Sequence, residues 1–127
     1  MNIPEDIKFT ETHEWVRIEE NRATIGVTDF AQKELGDIVY VEAPDLDSEY
    51  EKGEAFGVVE STKAVNDIYA PVSGTVVEIN EELEDAPELI NEDPYERGWI
   101  CVVELSDPSE VDHLLDPKDY EKLVKEH

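Results

Sequence analysis

A mainly β fold, a small sandwich or barrel with short helices at its edges, is what this sequence predicts. Three observations carry it: short runs that alternate apolar and polar residues, Gly and Pro punctuation between them, and a length of 127 residues, which suits one domain with a modest core. Trp15-Val16-Arg17-Ile18-Glu19 and Ala23-Thr24-Ile25-Gly26-Val27 alternate on either side of Glu20-Asn21-Arg22 and form a first antiparallel pair. Thr28 or Asp29 caps a short helix through Leu35, which Gly36 ends. Ile38 to Glu42 is a strand, and Pro44 to Lys52 is a polar, exposed connection.

After Gly53, two β-rich runs, Ala55 to Val59 and Val65 to Ala70, face each other across Ser61-Thr62-Lys63-Ala64 as a hairpin, closed by Pro71-Val72-Ser73-Gly74. Thr75 to Ile79 is the next strand, and Asn80 is placed to cap a helical turn at Glu81 to Glu84. Pro87 and Pro94 bracket a loop, and a strand runs from Trp99 to Leu105. Asp107-Pro108 opens a helix through Leu115, and Asp116-Pro117 opens a last one, whose Tyr120, Leu123 and Val124 share a face. Residues 107–127 therefore read as a helical extension that braces the sheet.

The charge is lopsided: 34 acidic residues against 10 basic give a formal net charge of −24. Such a surface repels nucleic acid and anionic lipid. The acids are spread along the chain and 39% of the residues are hydrophobic, so a core forms despite them. Self-repulsion is severe in dilute buffer, whereas at molar salt the screening length falls to about 3 Å. A salt-adapted, halophilic setting and steering toward basic partner faces are both consistent with this acidity.

The chain lacks the roughly 18 consecutive apolar residues of a membrane span, and Met1 to Asp6 lacks the regions of a secretory signal, so a cytoplasmic protein is expected. The single cysteine, Cys101, shares a strand face with Val103 and Leu105 and reads as a small core residue. Of His13, His113 and His127, one lies in a surface helix and one at the terminus. Neither a nucleophile triad nor a metal-ligand spacing can be assembled from them, and no Gly-rich phosphate loop is present.

Lys63 sits in the hairpin turn, where register fixes the backbone while the long stem stays free. By spacing alone the plainer reading is a solvated turn lysine. The surrounding residues shift that reading. Gly57-Val58-Val59-Glu60-Ser61-Thr62-Lys63-Ala64, followed by Asp67-Ile68-Tyr69-Ala70-Pro71-Val72-Ser73-Gly74, resembles the lipoyl-lysine signature of the H protein family of the glycine cleavage system. Thr12-His13-Glu14-Trp15-Val16 and Leu35-Gly36-Asp37 are similar to that family's N-terminal half, and Leu89-Ile90-Asn91, Pro94-Tyr95 and Gly98-Trp99 to its C-terminal half. Thr62 and Asn66 depart from it, standing where valine and serine are frequent.

The resemblance implies the flattened barrel-sandwich hybrid of lipoyl and biotinyl carriers, as a single carrier domain over residues 1–127. It implies lipoic acid attached to Lys63 and a carrier that does no chemistry alone. The implied partners are a pyridoxal-phosphate glycine decarboxylase (P protein), a tetrahydrofolate-dependent aminomethyltransferase (T protein), a dihydrolipoyl dehydrogenase (L protein) and the lipoylating enzymes, each met by a monomer. In this family the loaded arm folds into a cleft of the carrier, where acids meet the aminomethyl amine. The matching positions are Glu14 and Asp67, with Thr12 able to supply a hydroxyl. From the residues alone, His13 and Glu14 read as a solvated pair at a strand entry. Glu60, Ala64 and Gly74 are candidates for recognition by the modifying enzyme, although Glu60 is equally a solvated acid and Gly74 is better suited to the turn backbone.

Other readings stay open. A lipoyl domain of a 2-oxoacid dehydrogenase commonly has an acid where Thr62 stands, and biotin carriers flank their lysine with methionines rather than Thr62 and Ala64. A lipoyl relay, or an unmodified regulatory module on the carrier fold, complete the set.

Overall fold

The computed structural model describes residues 2–126; Met1, in the N-terminal reading above, and the terminal His127 lie outside the described residues. Nine strands follow one another as β1 (Lys8–Phe9), β2 (Glu14–Glu19), β3 (Arg22–Val27), β4 (Ile38–Glu42), β5 (Glu49–Tyr50), β6 (Ala55–Ser61), β7 (Val65–Tyr69), β8 (Gly74–Ile79) and β9 (Cys101–Leu105). Helix α1 (Asp29–Leu35) joins β3 to β4, α2 (Glu82–Asp85) and α3 (Leu89–Glu92) join β8 to β9, and α4 (Pro117–Lys125) ends the chain.

The strands form two antiparallel sheets, a six-stranded one in the order β1-β2-β3-β9-β8-β5 and a three-stranded one in the order β4-β6-β7. Inward residues of both sheets, among them Val16, Ile25 and Val103 from the first and Val41, Val59 and Ile68 from the second, merge into one buried cluster. Each such side chain contributes about 1.5–3 kcal/mol by leaving water. A second cluster of Ile7, Phe9, Trp15, Tyr95, Tyr120 and Val124 lies between β1, β2 and the C-terminal helix. The mainly β class with short helices is as the sequence predicts, and the sheets are unequal and do not close.

Local chemistry explains most boundaries. Thr28 caps α1 by accepting the Ala31 N–H, and Gly36 ends it at φ 80°, the left-handed region that suits glycine. Gly26 pairs with Trp15 across β2 and β3, and a Cβ there would stand 2.6 Å from the indole, so the fully buried tryptophan requires the glycine. Cys101 is buried, and burial pushes its thiol well above the ordinary range, in keeping with a core residue.

Several expectations change. The polar connection from Pro44 to Lys52 contains β5, which pairs with Gly74 and Thr75. The loop between Pro87 and Pro94 contains α3, and β1 was not expected at all. The helix expected through Leu115 is a 3-10 helix, Pro108–His113, because Leu115 exchanges backbone hydrogen bonds with Phe9 and Pro117 holds Asp116 extended. The final helix behaves as predicted, burying Tyr120 and Val124. No helix among the described residues is long and apolar enough to cross a membrane.

Candidate functional site

The β6–β7 hairpin presents Lys63 exposed on a turn whose geometry is set by one side chain. Ser61 Oγ accepts the N–H groups of Lys63 (3.2 Å) and Ala64 (3.1 Å), and the Ser61 N–H donates to the Ala64 carbonyl (2.8 Å). The tip is also held from outside, since the Thr62 N–H donates to the Asp37 carbonyl at 3.1 Å. Asn91 braces that anchor: its Oδ1 accepts the Ile38 N–H, and its Nδ2 donates to Gln32 Oε1 and the Gly36 carbonyl. The lysine stem passes beside Gly36, where an added Cβ would stand 3.6 Å from Lys63 Cε. The backbone is thus fixed at two points while Nζ remains in solvent.

A cleft of about 500 Å³ adjoins this turn. Its walls include Ala64, Asn66, Asp67, Ile68 and Tyr69 along β7, Phe30, Ala31 and Leu35 on α1, and Thr12, His13 and Glu14 at the entry to β2. Five residues separate Ala64 from Tyr69, so at a rise near 3.3 Å per residue the cleft follows β7 for roughly 16 Å. At the Tyr69 end stands Glu14.

Glu14 is 2% exposed, so the pair expected to be solvated is not: its carboxylate is sealed into the cleft floor. Burial raises its pKa above the ordinary value, and hydrogen bonds to its oxygens oppose the rise. Thr10 and Thr12 hydroxyls donate to Oε1, and the Tyr69 N–H donates to Oε2 at 3.3 Å. A carboxylate has about four acceptor positions, so one on Oε2 is left over by these three bonds. Thr10 was missed in the sequence, because the contact is made across a loop that turns at His13 (φ 70°) and not within a regular element.

The other predicted residues divide. Thr12 spends its hydroxyl proton on Glu14, and Asp67 is exposed at the rim, bordering both this cleft and a smaller depression with Glu42, Pro44 and Val58. Ala64 is exposed and lines the cleft mouth. Glu60 lies outside the cleft, half-buried and in register between Tyr40 of β4 and Val65 of β7, both of which are exposed. Gly74 is not with this group. It is buried in β8, and a Cβ there would be 2.1 Å from the Glu104 carbonyl oxygen, so close strand packing accounts for the glycine. Among the described residues no cluster of three or more His, Cys, Asp or Glu side chains is placed to hold a metal ion.

Known proteins resemble this chain along nearly its whole length. The family described as Glycine cleavage H-protein matches residues 7–127. A glycine cleavage system H protein from Carboxydothermus hydrogenoformans is 55% identical over 124 residues, covering 98% of this chain and 95% of its own. One from Brevibacillus brevis is 56% identical over 126 residues, covering 99% of this chain and 100% of its own. The crystal structure of a glycine cleavage system H protein from Mycobacterium marinum superposes with a TM-score of 0.90 at 36% identity, covering 97% of this chain and 99% of the other.

Proposed function

This chain belongs to the glycine cleavage H-protein family, and we propose that it works there as a lipoyl carrier whose Lys63 holds lipoic acid in amide linkage and whose cleft shelters the cargo between enzymes. The observation that carries the proposal is the continuity from an exposed lysine on a doubly anchored turn, through an apolar trough, to a buried carboxylate with a free acceptor position. These residues fit the group: an extended, largely apolar arm matches the Phe30, Leu35 and Ile68 walls, and an amine at its end matches Glu14. When attached, lipoic acid supplies a dithiolane whose sulfur carries the one-carbon amine from glycine.

The chain's own residues supply the rest. Ser61 and the Asp37 carbonyl fix the backbone from which the arm swings, so successive enzymes meet an arm rooted at one place. Glu14, ionised, pairs with an ammonium group through a charge-assisted bond that a dry site strengthens. The apolar walls exclude water from the cargo. Tethering replaces diffusion of a free intermediate by a high effective concentration at each partner site.

The partners proposed are glycine decarboxylase, the tetrahydrofolate-dependent aminomethyltransferase and dihydrolipoyl dehydrogenase, approached by a monomeric carrier. Glu60, beside the exposed Tyr40 and Val65 and one residue before the turn, is the side chain proposed for recognition by a lipoylating enzyme, with Ala64 at the turn's other flank.

Intact mass and peptide mapping of the protein from its native cells test the reading. A lipoyl adduct confined to Lys63, and loss of glycine cleavage in Lys63→Arg, are expected. An unmodified lysine in cells that are degrading glycine, or a biotin adduct, would overturn it.

A further inference from the structure

The C-terminal helix delivers one side chain into the machinery of the cleft without lining it. Tyr120 is fully buried, with its ring stacked on Phe9 at 4.5 Å between centroids and 4° between planes. Its hydroxyl meets two groups, Thr28 Oγ1 at 2.7 Å and His13 Nδ1 at 2.8 Å. Those two belong to different elements beside the cleft. His13 adjoins Glu14 in the loop that forms the floor, and Thr28 caps α1, which forms the apolar wall.

Counting protons gives the chain of bonds a direction. Thr28 Oγ1 already accepts the Ala31 N–H at 3.1 Å, and Thr28 is fully buried, so its hydroxyl proton goes to Tyr120 Oη. Having accepted that bond, Tyr120 has one proton to give, and His13 Nδ1 takes it. Nδ1 is then an acceptor, which puts the imidazole proton on Nε2. The reverse arrangement, with His13 donating to Tyr120 and Tyr120 to Thr28, strands the Thr28 hydroxyl proton in a buried place, at the full cost of an unmade hydrogen bond.

We propose that Tyr120 is a positioning residue for the cleft, fastening the loop that leads into Glu14 to the helix that forms the apolar wall and holding His13 in its Nε2-protonated tautomer. The role in sheltering cargo rests on the carrier reading above; the fastening itself does not. Without the phenol, loop and helix keep the Thr28 N–H to His13 carbonyl bond, at 3.0 Å, and the contact of the His13 ring with Phe30, at 4.8 Å between centroids.

The test uses the full chain, first unmodified and then lipoylated. Nitrogen-15 NMR of the imidazoles at mildly alkaline pH, where histidine is neutral, reads the tautomer directly. Wild type is expected to show His13 protonated at Nε2 alone. Tyr120→Phe, which keeps the stacked ring, is expected to lower the Nε2-protonated share of His13 and shift the amides at His13 and Ala31 while still melting cooperatively. Thr28→Ser is expected to retain the wild-type tautomer, and Thr28→Val to lose it. A His13 protonated at Nδ1 in wild type, or an unchanged tautomer in Tyr120→Phe, would overturn the fastening. In the lipoylated chain loaded with cargo, Tyr120→Phe is expected to release it roughly fivefold faster, the equivalent of one net hydrogen bond. Release at the wild-type rate, with the tautomer altered, would overturn the positioning role. A Lys63 that never accepts lipoic acid overturns the carrier reading, and the tautomer results still decide the fastening.

Discussion

Ser61 Oγ accepts the backbone N–H of Lys63 at 3.2 Å, two residues along the chain, and from the same atom holds the Ala64 N–H. One largely buried hydroxyl therefore determines how the lysine is offered. Removing it frees two backbone donors to water and loosens the turn between β6 and β7.

Ser61→Ala is accordingly expected to cost about 1–2 kcal/mol of stability and to slow attachment of lipoate at Lys63. A mass-spectrometric time course with a lipoate–protein ligase, run beside a denaturant melt, checks both. Attachment at the wild-type rate would show that the ligase imposes its own turn geometry.

Glu14 and Asp67 separate by burial, though the sequence treats them alike. Glu14→Gln is expected to leave lipoylation intact and shorten the life of the loaded carrier by about tenfold or more, as befits a charge-assisted bond of about 1.5–3 kcal/mol. Asp67→Asn, at an exposed and screened position, is expected to change it by less than about fivefold, the range of surface pairs. Hydrolysis of the loaded species measures this. Equal effects would mean that the arm ends at the rim rather than the floor.

Glu14 also gives stability a pH slope. Burial raises its folded pKa above the unfolded value near 4.5, so the fold binds the proton more tightly. Its contribution is therefore fully present below 4.5 and declines as pH rises through the raised value. Asp29 acts in the opposite sense: burial pushes it up, but hydrogen bonds from the Asn2 N–H and Gln32, with Lys33 nearby, outweigh that and lower it. Its contribution is present above 3.8 and declines as pH falls below that. In molar salt, Glu14→Gln is expected to lose the decline above 4.5. Melts across pH for both chains check this, and parallel curves would count against it.

Only four ion pairs occur among the described residues, joining Arg17 to Glu96, Lys33 to Asp29, Arg97 to Glu82 and Lys125 to Glu121. They leave the formal charge of −24 essentially uncompensated. The melting temperature is expected to climb with potassium chloride and level off toward molar salt, where the Debye length is about 3 Å. A flat response would assign the acidity to partner steering instead.

Gly74→Ala sets structure against recognition. Because the Cβ would collide with the Glu104 carbonyl, the variant is expected to lose about 1–3 kcal/mol, while its folded fraction accepts lipoate normally. A selective loss of lipoylation would restore Gly74 to the recognition surface.

Most of the fold was legible because its strands alternate and its helices carry Thr28, Asp107 and Asp116 as caps. What escaped was set by distant partners. The two-residue strands β1 and β5 are too short for a periodicity and exist by pairing with β2 and β8. Leu115 continues an apparent helix until Phe9, over a hundred residues away, claims its backbone. In the site, Lys63 could be picked out from its turn and its resemblance. The burial of Glu14 could not be, because the seal is made by Thr10 in a loop and by Tyr69 from the other sheet. Tyr120 read as one of three apolar positions on a helix face, and nothing in that spacing reveals a hydroxyl directed at His13 and Thr28.

The backbone bridge between Phe9 and Leu115 joins a strand to a segment translated over a hundred residues after it. The sheet that presents Lys63 is β4, β6 and β7, and all of it lies before residue 70. On the ribosome, then, that sheet is translated well before the C-terminal helix. The strands that offer the proposed attachment lysine and the helix proposed to fasten the cleft are made at different moments.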